Sequence, residues 1–225
     1  MRADAEDNRR ALLDAAREVF VEEGTSVALD KIAKRAGVGI GTLYRRFADR
    51  DALLRGVIVD TFESMTAAVR AAQEPGAAQP SWERLVRAVA DLGIGPALPI
   101  IFRERLDLID EPTVAASMRE AIAAVEDVYR RAQEAGELRA DVSFLEIQML
   151  AGMLSMGRPT YPPTVEPGAI TDRLVGILLD GLRLSPGNSA LPGVAMVFNP
   201  LDPADRAAVE RAVAEENARI RKLRG

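Results

Sequence analysis

The chain has 225 residues, 34 acidic against 29 basic side chains for a net charge of −5, and neither histidine nor cysteine. The missing residue types exclude disulfides, thiolate metal sites, cysteine nucleophiles, a Ser-His-Asp triad and any ordinary zinc centre. No stretch holds about eighteen uninterrupted apolar residues and the N-terminus MRADAEDNRR is charged, so the expectation is a soluble, cytoplasmic protein with no membrane partner, no metal and no cofactor.

The predicted elements are helical from end to end. Leu12, Ala16, Val19 and Phe20 form one stripe that Gly24 stops, which gives a first helix over about residues 8–23. From Leu29 to Ala36, Ile32, Ala33 and Ala36 lie on one side and Lys31, Lys34 and Arg35 on the other, with Gly37 closing the segment. A brief helix runs from Ile40 to Phe47. Asp49 then caps a long helix whose apolar stripe is Leu54, Ile58, Thr61, Phe62, Met65 and Val69, ended by EPGAAQP at 74–80. Ser81 caps a helix through Leu92, and GIGP (93–96) with Pro99 interrupts before a segment through Leu108. Pro112 opens a helix that Gly136 stops, and Asp141 is read as the cap of another through Met156. Proline-rich GRPTYPPTVEPG (157–168) leads to an apolar helix over about 169–184. SPGNSALPGVAMVFNPL (185–201) reads as a linker, after which Asp202 and Pro203 start a helix with Val209, Val213, Ile220 and Leu223. Nothing alternates with a period of two, so the fold class is all-α.

Between residues 31 and 50 lie Lys31, Lys34, Arg35, Arg45, Arg46 and Arg50 against Asp49 alone. Such a basic cluster in an acidic chain is the footprint of a local nucleic-acid-binding module, although a solvated helix face would look the same. The cluster brackets three alternate glycines in KRAGVGIGTLYRRF (34–47). A dinucleotide fingerprint needs a third glycine where Thr42 stands and a strand before it; a Walker loop needs Gly-Lys-Ser/Thr. Neither is present. What remains is helix, glycine turn, helix, with Gly37 at the turn, Leu43 and Phe47 facing inward and Thr42, Tyr44, Arg45 and Arg46 outward.

With these residues in place, ALLDAAREVFVEEGTSVALDKIAKRAGVGIGTLYRRFADRDALL (11–54) resembles the DNA-binding domain of the TetR family of transcriptional regulators, whose usual pattern is IAxxAGVSxGTLYxHF followed by K-[DE]-x-L. The resemblance implies an N-terminal three-helix helix-turn-helix domain over 1–48, running into a fourth helix to about 67. It also implies a helical effector-binding and dimerisation domain over 49–186, whereas the linker and extra helix over 187–225 are unusual for the family. It further implies that Ile40–Phe47 lies in the major groove. Thr42 and Tyr44 then contact phosphates and the groove edge, and Arg50 grips phosphate in place of a lysine. Gly39, Ile40 and Gly41 form the variable front that sets sequence preference, and Lys31 is a candidate backbone contact. Three departures stand out: Gly39 and Ala28 replace capping hydroxyls, and Arg46 replaces a histidine, giving a guanidinium able to reach phosphate or read guanine.

One short helix does not bind tightly alone. The family's solution is a homodimer on a palindromic double-stranded DNA operator, with recognition helices about 34–36 Å apart. Leu174, Ile177, Leu178, Gly181 and Leu182 on the last bundle helix, with Leu145, Met149, Gly152 and Met153 on its predecessor, offer a dimer face. Phe62, Met65, Trp82, Leu85, Val89, Phe102, Met118, Ile122 and Met153 are candidates to line a cavity for a small, mostly apolar effector, and Arg103, Glu104 and Arg105 to supply polar contacts. The expected function is a ligand-responsive repressor. Two other classes stand beside it: an enzyme, which lacks any Glu-x-x-His motif or apolar carboxylate pair, and a helical interaction protein that has lost DNA binding. The extension is expected to pack on the partner subunit, cover the ligand cavity or lie on its own domain.

Overall fold

A computed structural model describes residues 2–92, 97–155, 167–196, 199, 201–208 and 211–212. The described elements are α1 (Arg2–Glu23), α2 (Leu29–Arg35), α3 (Ile40–Arg46), α4 (Arg50–Ala72), α5 (Ser81–Leu92) and α6 (Ala97–Glu104). A 3-10 turn (Leu106–Asp110) follows, then α7 (Pro112–Glu134), α8 (Phe144–Ser155) and α9 (Pro167–Leu182). Among the described residues there is no strand, only an isolated bridge between Leu138 and Arg183. The fold is all-α: a three-helix unit stands on the N-terminal end of α4, and α4 continues into a bundle with α5, α7, α8 and α9.

Most boundaries follow local chemistry. Asp49 accepts the Ala52 amide at 2.7 Å and starts α4, and Pro112 occupies the first turn of α7. Gly37, at φ +70°, turns the chain between α2 and α3, a left-handed conformation that a side chain would strain. Several boundaries differ from the predicted ones. Helix α1 begins at Arg2 rather than near residue 8. The segment expected to run through Leu108 stops at Glu104 and tightens into the 3-10 turn. The cap of α8 is Ser143, not Asp141: the Ser143 amide donates to Glu146 Oε2 at 2.8 Å and Ser143 Oγ accepts the Glu146 amide at 3.2 Å, a reciprocal capping box. Asp141 instead pairs with Arg139. Helix α9 ends at Leu182, because Arg183 and Leu184 turn back to meet Leu138 and Glu137. The C-terminal helix begins as expected, with Asp202 accepting the Ala204 amide at 2.7 Å, and is helical over 203–208. Met156, Val209, Val213, Ile220 and Leu223 lie outside the described residues.

One continuous core joins the two units. Leu12, Leu13, Val19 and Phe20 of α1 meet Ile32, Leu43, Leu53 and Val57, while Phe62 and Met65 farther along α4 join Trp82, Leu85, Val114 and Met118. Burying each such side chain contributes roughly 1.5–3 kcal/mol before entropy is charged against it.

Candidate nucleic-acid interface

Helix α3 is only seven residues long, so its position depends on its seat rather than on helix propensity. Leu43 is fully buried and Phe47 nearly so, both facing inward as expected. Arg9 lies over the Phe47 ring, 5.9 Å from its centroid, and closes the α1 side. With Leu43 inward, the exposed side chains of the helix are Ile40 at 41%, Tyr44 at 52%, Arg45 and Arg46. Tyr44 therefore points outward and is not wedged between α1 and α3. Gly39 and Gly41 are also exposed, Thr42 is half-buried, and the Thr42 hydroxyl accepts from Arg45 at 3.4 Å. Gly39 is the N-cap, extended at φ −69° and ψ 146°, with no side chain to bond the first-turn amides.

The predicted cations divide into two groups. Arg45 and Arg46 pair with no carboxylate among the described residues. Lys31, by contrast, donates to Glu23 at 2.5 Å, and Arg35 bonds Glu18 at 2.9 Å and Glu22 at 2.7 Å. Hydrogen bonding to Glu23 raises the Lys31 ammonium pKa, and hydrogen bonding to Arg35 lowers that of the Glu22 carboxyl. Arg50 is half-buried and donates from Nη1 to the Thr25 carbonyl at 2.6 Å. It braces the loop after α1, so any phosphate contact has to use its remaining donors.

The same loop is held from the bundle side. Glu104, the last residue of α6, accepts from the Thr25 amide at 3.3 Å and from the Thr25 hydroxyl. Its neighbour Arg105 forks onto Asp51 at 2.5 and 3.0 Å and onto Asp107 at 2.9 and 2.8 Å, and this hydrogen bonding holds the Asp51 carboxyl below its ordinary pKa. Glu104 thus joins α6 to the loop after α1, Arg105 joins it to the first turn of α4, and both are engaged there instead of contributing to a cavity. Sequence patterning gives no sign of this junction, since its partners lie 54 and 79 positions apart.

Of the proposed cavity residues, Phe62, Met65, Trp82, Leu85, Val89 and Met118 are buried in one cluster and Phe102 packs at its edge. Met153 is not with them: it is 62% exposed and shares an outer stripe of α8 with Met149 and Leu150. Ile122 lines an outer cleft of about 280 Å³ between α7, Phe144 and the C-terminal extension. A larger groove of about 630 Å³ runs between α4 and α7, past Val59, Glu63, Thr66, Arg70 and Ser117. Among the described residues the buried Trp82 indole N–H has no hydrogen-bond partner.

The proposed dimer residues also divide. Met149, Leu174 and Ile177 are exposed, Ile177 at 60%, and Gly181 is exposed beside them. Leu145 and Leu178 are half-buried, whereas Gly152 and Leu182 face inward, Leu182 having joined the core at the end of α9. Among the described residues no group of three or more acidic, cysteine or histidine side chains could hold a metal, and no single helix is long and apolar enough to cross a membrane.

Two helices crossing through a glycine turn, with the second buried by Leu43 and presenting tyrosine and arginines outward, define a helix-turn-helix DNA-binding protein. Sequence comparison agrees. Residues 12–57 match the model described as bacterial regulatory proteins of the tetR family, and residues 85–184 match the C-terminal domain of SbtR-like transcriptional regulators. The chain belongs to the TetR family of transcriptional regulators. An HTH-type transcriptional regulator of Staphylococcus aureus (strain USA300) is 44% identical over 59 residues, which is 26% of this chain and 32% of that relative. The match thus spans about a third of the relative's length. Over longer spans, the crystal structure of a TetR transcription regulatory protein from Mycobacterium vanbaalenii is similar with a TM-score of 0.53 at 28% identity, covering 81% of this chain and 98% of that one. The TetR-like regulator LfrR of Mycobacterium smegmatis, in complex with proflavine, shares the fold with a TM-score of 0.54 at 24% identity, covering 83% of this chain and 99% of that one.

Proposed function

We propose that the protein is a dimeric repressor that binds a palindromic operator through α3 and is released by a small, mostly apolar effector. The observation that carries this reading is the exposed, unneutralised face of Tyr44, Arg45 and Arg46 on a helix seated by Leu43. Residues 1–48 and the start of α4 act as the DNA-binding domain, 49–186 as the effector-binding and dimerisation domain, and 187–225 as an addition to it. Dimerisation uses the apolar stripes of α8 and α9, Met149, Leu150 and Met153 beside Leu174 and Ile177. Exposed apolar side chains on two adjacent helices are what a four-helix interface between two copies needs.

For the effector, the support is the interior cluster around Phe62, Met65, Trp82 and Met118, next to the groove between α4 and α7. An unpaired buried N–H such as that of Trp82 costs on the order of 1–3 kcal/mol, which an acceptor on a ligand would recover. The effector class is therefore an apolar body with one hydrogen-bond acceptor, and the complex of LfrR with proflavine is a precedent for a ligand held by a protein of this fold. Release requires different effector affinities in the DNA-bound and free arrangements, transmitted through Glu104 and Arg105 to Thr25 and Asp51.

Fluorescence anisotropy on the DNA upstream of the protein's own gene, over a range of salt, tests the reading. Binding far tighter than to random DNA and lost in a Tyr44→Ala, Arg46→Ala variant is the expected result. A protein that binds neither that DNA nor any sequence selected from a random pool would be the interaction protein instead, whereas retained affinity that falls steeply with salt counts against that class.

A further inference from the structure

The family match ends at residue 184, yet the chain continues into an extension that is fastened to its own subunit. Arg139, 8% exposed, donates to the Ser189 carbonyl at 2.8 Å and to the Gly181 carbonyl at 3.3 Å while forking onto Asp141 at 2.6 and 2.8 Å. The Leu191 amide reaches Asp141 at 3.4 Å, and the Met196 amide donates to Glu146 at 3.0 Å. Farther on, Leu201 packs beside Ile122 and Phe144, and Arg206 pairs with Asp110. The backbone over 189–196 is thus tied at both ends.

What it presents to water is apolar. Val194 is 96% exposed, with Leu191 and Met196 about half exposed on either side, around a turn made by Gly193 at φ +84°. Its place matters as much as its composition. Glu146, the anchor of Met196, stands three, four and seven positions before Met149, Leu150 and Met153, on the same stripe of α8. Gly181, bonded to the other anchor Arg139, ends the exposed stripe of α9 that carries Leu174 and Ile177. The loop therefore continues the apolar face of α8 and α9 past the ends where the two helices meet.

We infer that residues 189–196 form an arm of the dimer interface, with Leu191, Val194 and Met196 packing on the second copy of this chain. The partner is a second copy because the loop is continuous with a face that two-fold symmetry would bring against itself, and because it carries no charge to suit a nucleic acid. Tying the backbone down beforehand reduces the entropy lost on association. This rests on the α8–α9 dimer reading, and the two fail in different ways.

The 225-residue chain has no cysteine, so Val194→Cys in it takes a single nitroxide label cleanly. The label is expected to be immobilised in the dimer and mobile in the monomer obtained by dilution. Alongside it, Val194→Asp is expected to raise the dimer dissociation constant about tenfold or more with unchanged far-ultraviolet circular dichroism. A label mobile in the dimer, a label immobilised equally in dimer and monomer, or a Val194→Asp chain that dimerises like the wild type overturns the arm. An Ile177→Asp chain that stays as dimeric as the wild type overturns the helix-face reading instead.

Discussion

Helices α2 and α3 are both seven residues long, and each ends in two basic side chains, Lys34 and Arg35 in one and Arg45 and Arg46 in the other. Their surroundings differ. Helix α1 lays Glu18, Glu22 and Glu23 against α2 and neutralises Lys31 and Arg35, whereas among the described residues nothing acidic reaches Arg45 or Arg46. A basic cluster in sequence therefore overstates the charge offered to DNA. Two of its six cations, Lys31 and Arg35, tie α2 to α1, Arg50 braces the loop at Thr25, and Arg45 and Arg46 stay unpaired with any carboxylate among the described residues.

The contrast between the two helices collapses most completely if α3 loses its seat. Leu43→Ala removes a fully buried side chain from the core that seats α3 and is expected to lower stability by about 2–5 kcal/mol. Urea unfolding reads that loss directly, and operator binding should fall with it even though no DNA-facing group has changed. A variant of wild-type stability would mean that α3 is held by something other than Leu43.

Next in size is the contrast between the free and the paired arginine. Arg46→Ala is expected to cost about 1–3 kcal/mol of operator affinity and to relax discrimination at one base position, as loss of a bidentate base contact does. Arg35→Ala, whose guanidinium already has two carboxylates, should leave discrimination unchanged. Anisotropy with operator variants checks both, and equal losses would erase the distinction between α2 and α3. Arg45→Ala offers a subtler version. Removing one phosphate neutraliser should reduce the slope of log affinity against log salt by about 0.9, with Arg35→Ala keeping the wild-type slope. Lys31→Ala showing the same reduction would restore the backbone contact that the Glu23 pair argues against.

The helix-turn-helix is legible in sequence because its determinants are local. Gly37, Leu43, Phe47 and the Asp49 cap all act within a few residues of where they stand. Gly56 shows the limit of such reading: a glycine inside α4 looks like a mere propensity cost, yet a Cβ there would lie 2.8 Å from the Phe47 ring. The α8 cap lies two residues beyond the predicted one because Asp141 and Ser143 are both good caps, and Arg139 makes the choice by drawing Asp141 away. Met153 departs from the cavity cluster, and Leu182 from the exposed stripe of α9, for a related reason. On a helix whose residues are mostly apolar, periodicity does not say which side meets the core, so only packing against α5 and α9 separates Ala151 from Met153. The junction through Glu104 and Arg105 joins distant positions and has no local signature.

The smallest expected effect lies at the front of α3. Gly39 has the extended backbone of an N-cap, and a Cβ added there would meet nothing within 4 Å, so Gly39→Ser fits without displacing a neighbour. The serine oxygen would accept a first-turn amide that now has no side-chain partner. Gly and Ser differ by only a few tenths of a kcal/mol at this position, so stability should rise by about that amount. Operator binding gives a sharper readout. If the α3 terminus meets phosphate, the added hydroxyl strengthens binding to all sequences alike and leaves discrimination at the Arg46 position intact. Weaker binding of every sequence with a more stable fold would mean that the open glycine face itself lets the helix end approach the DNA closely, and that residue 39 is kept small for that approach.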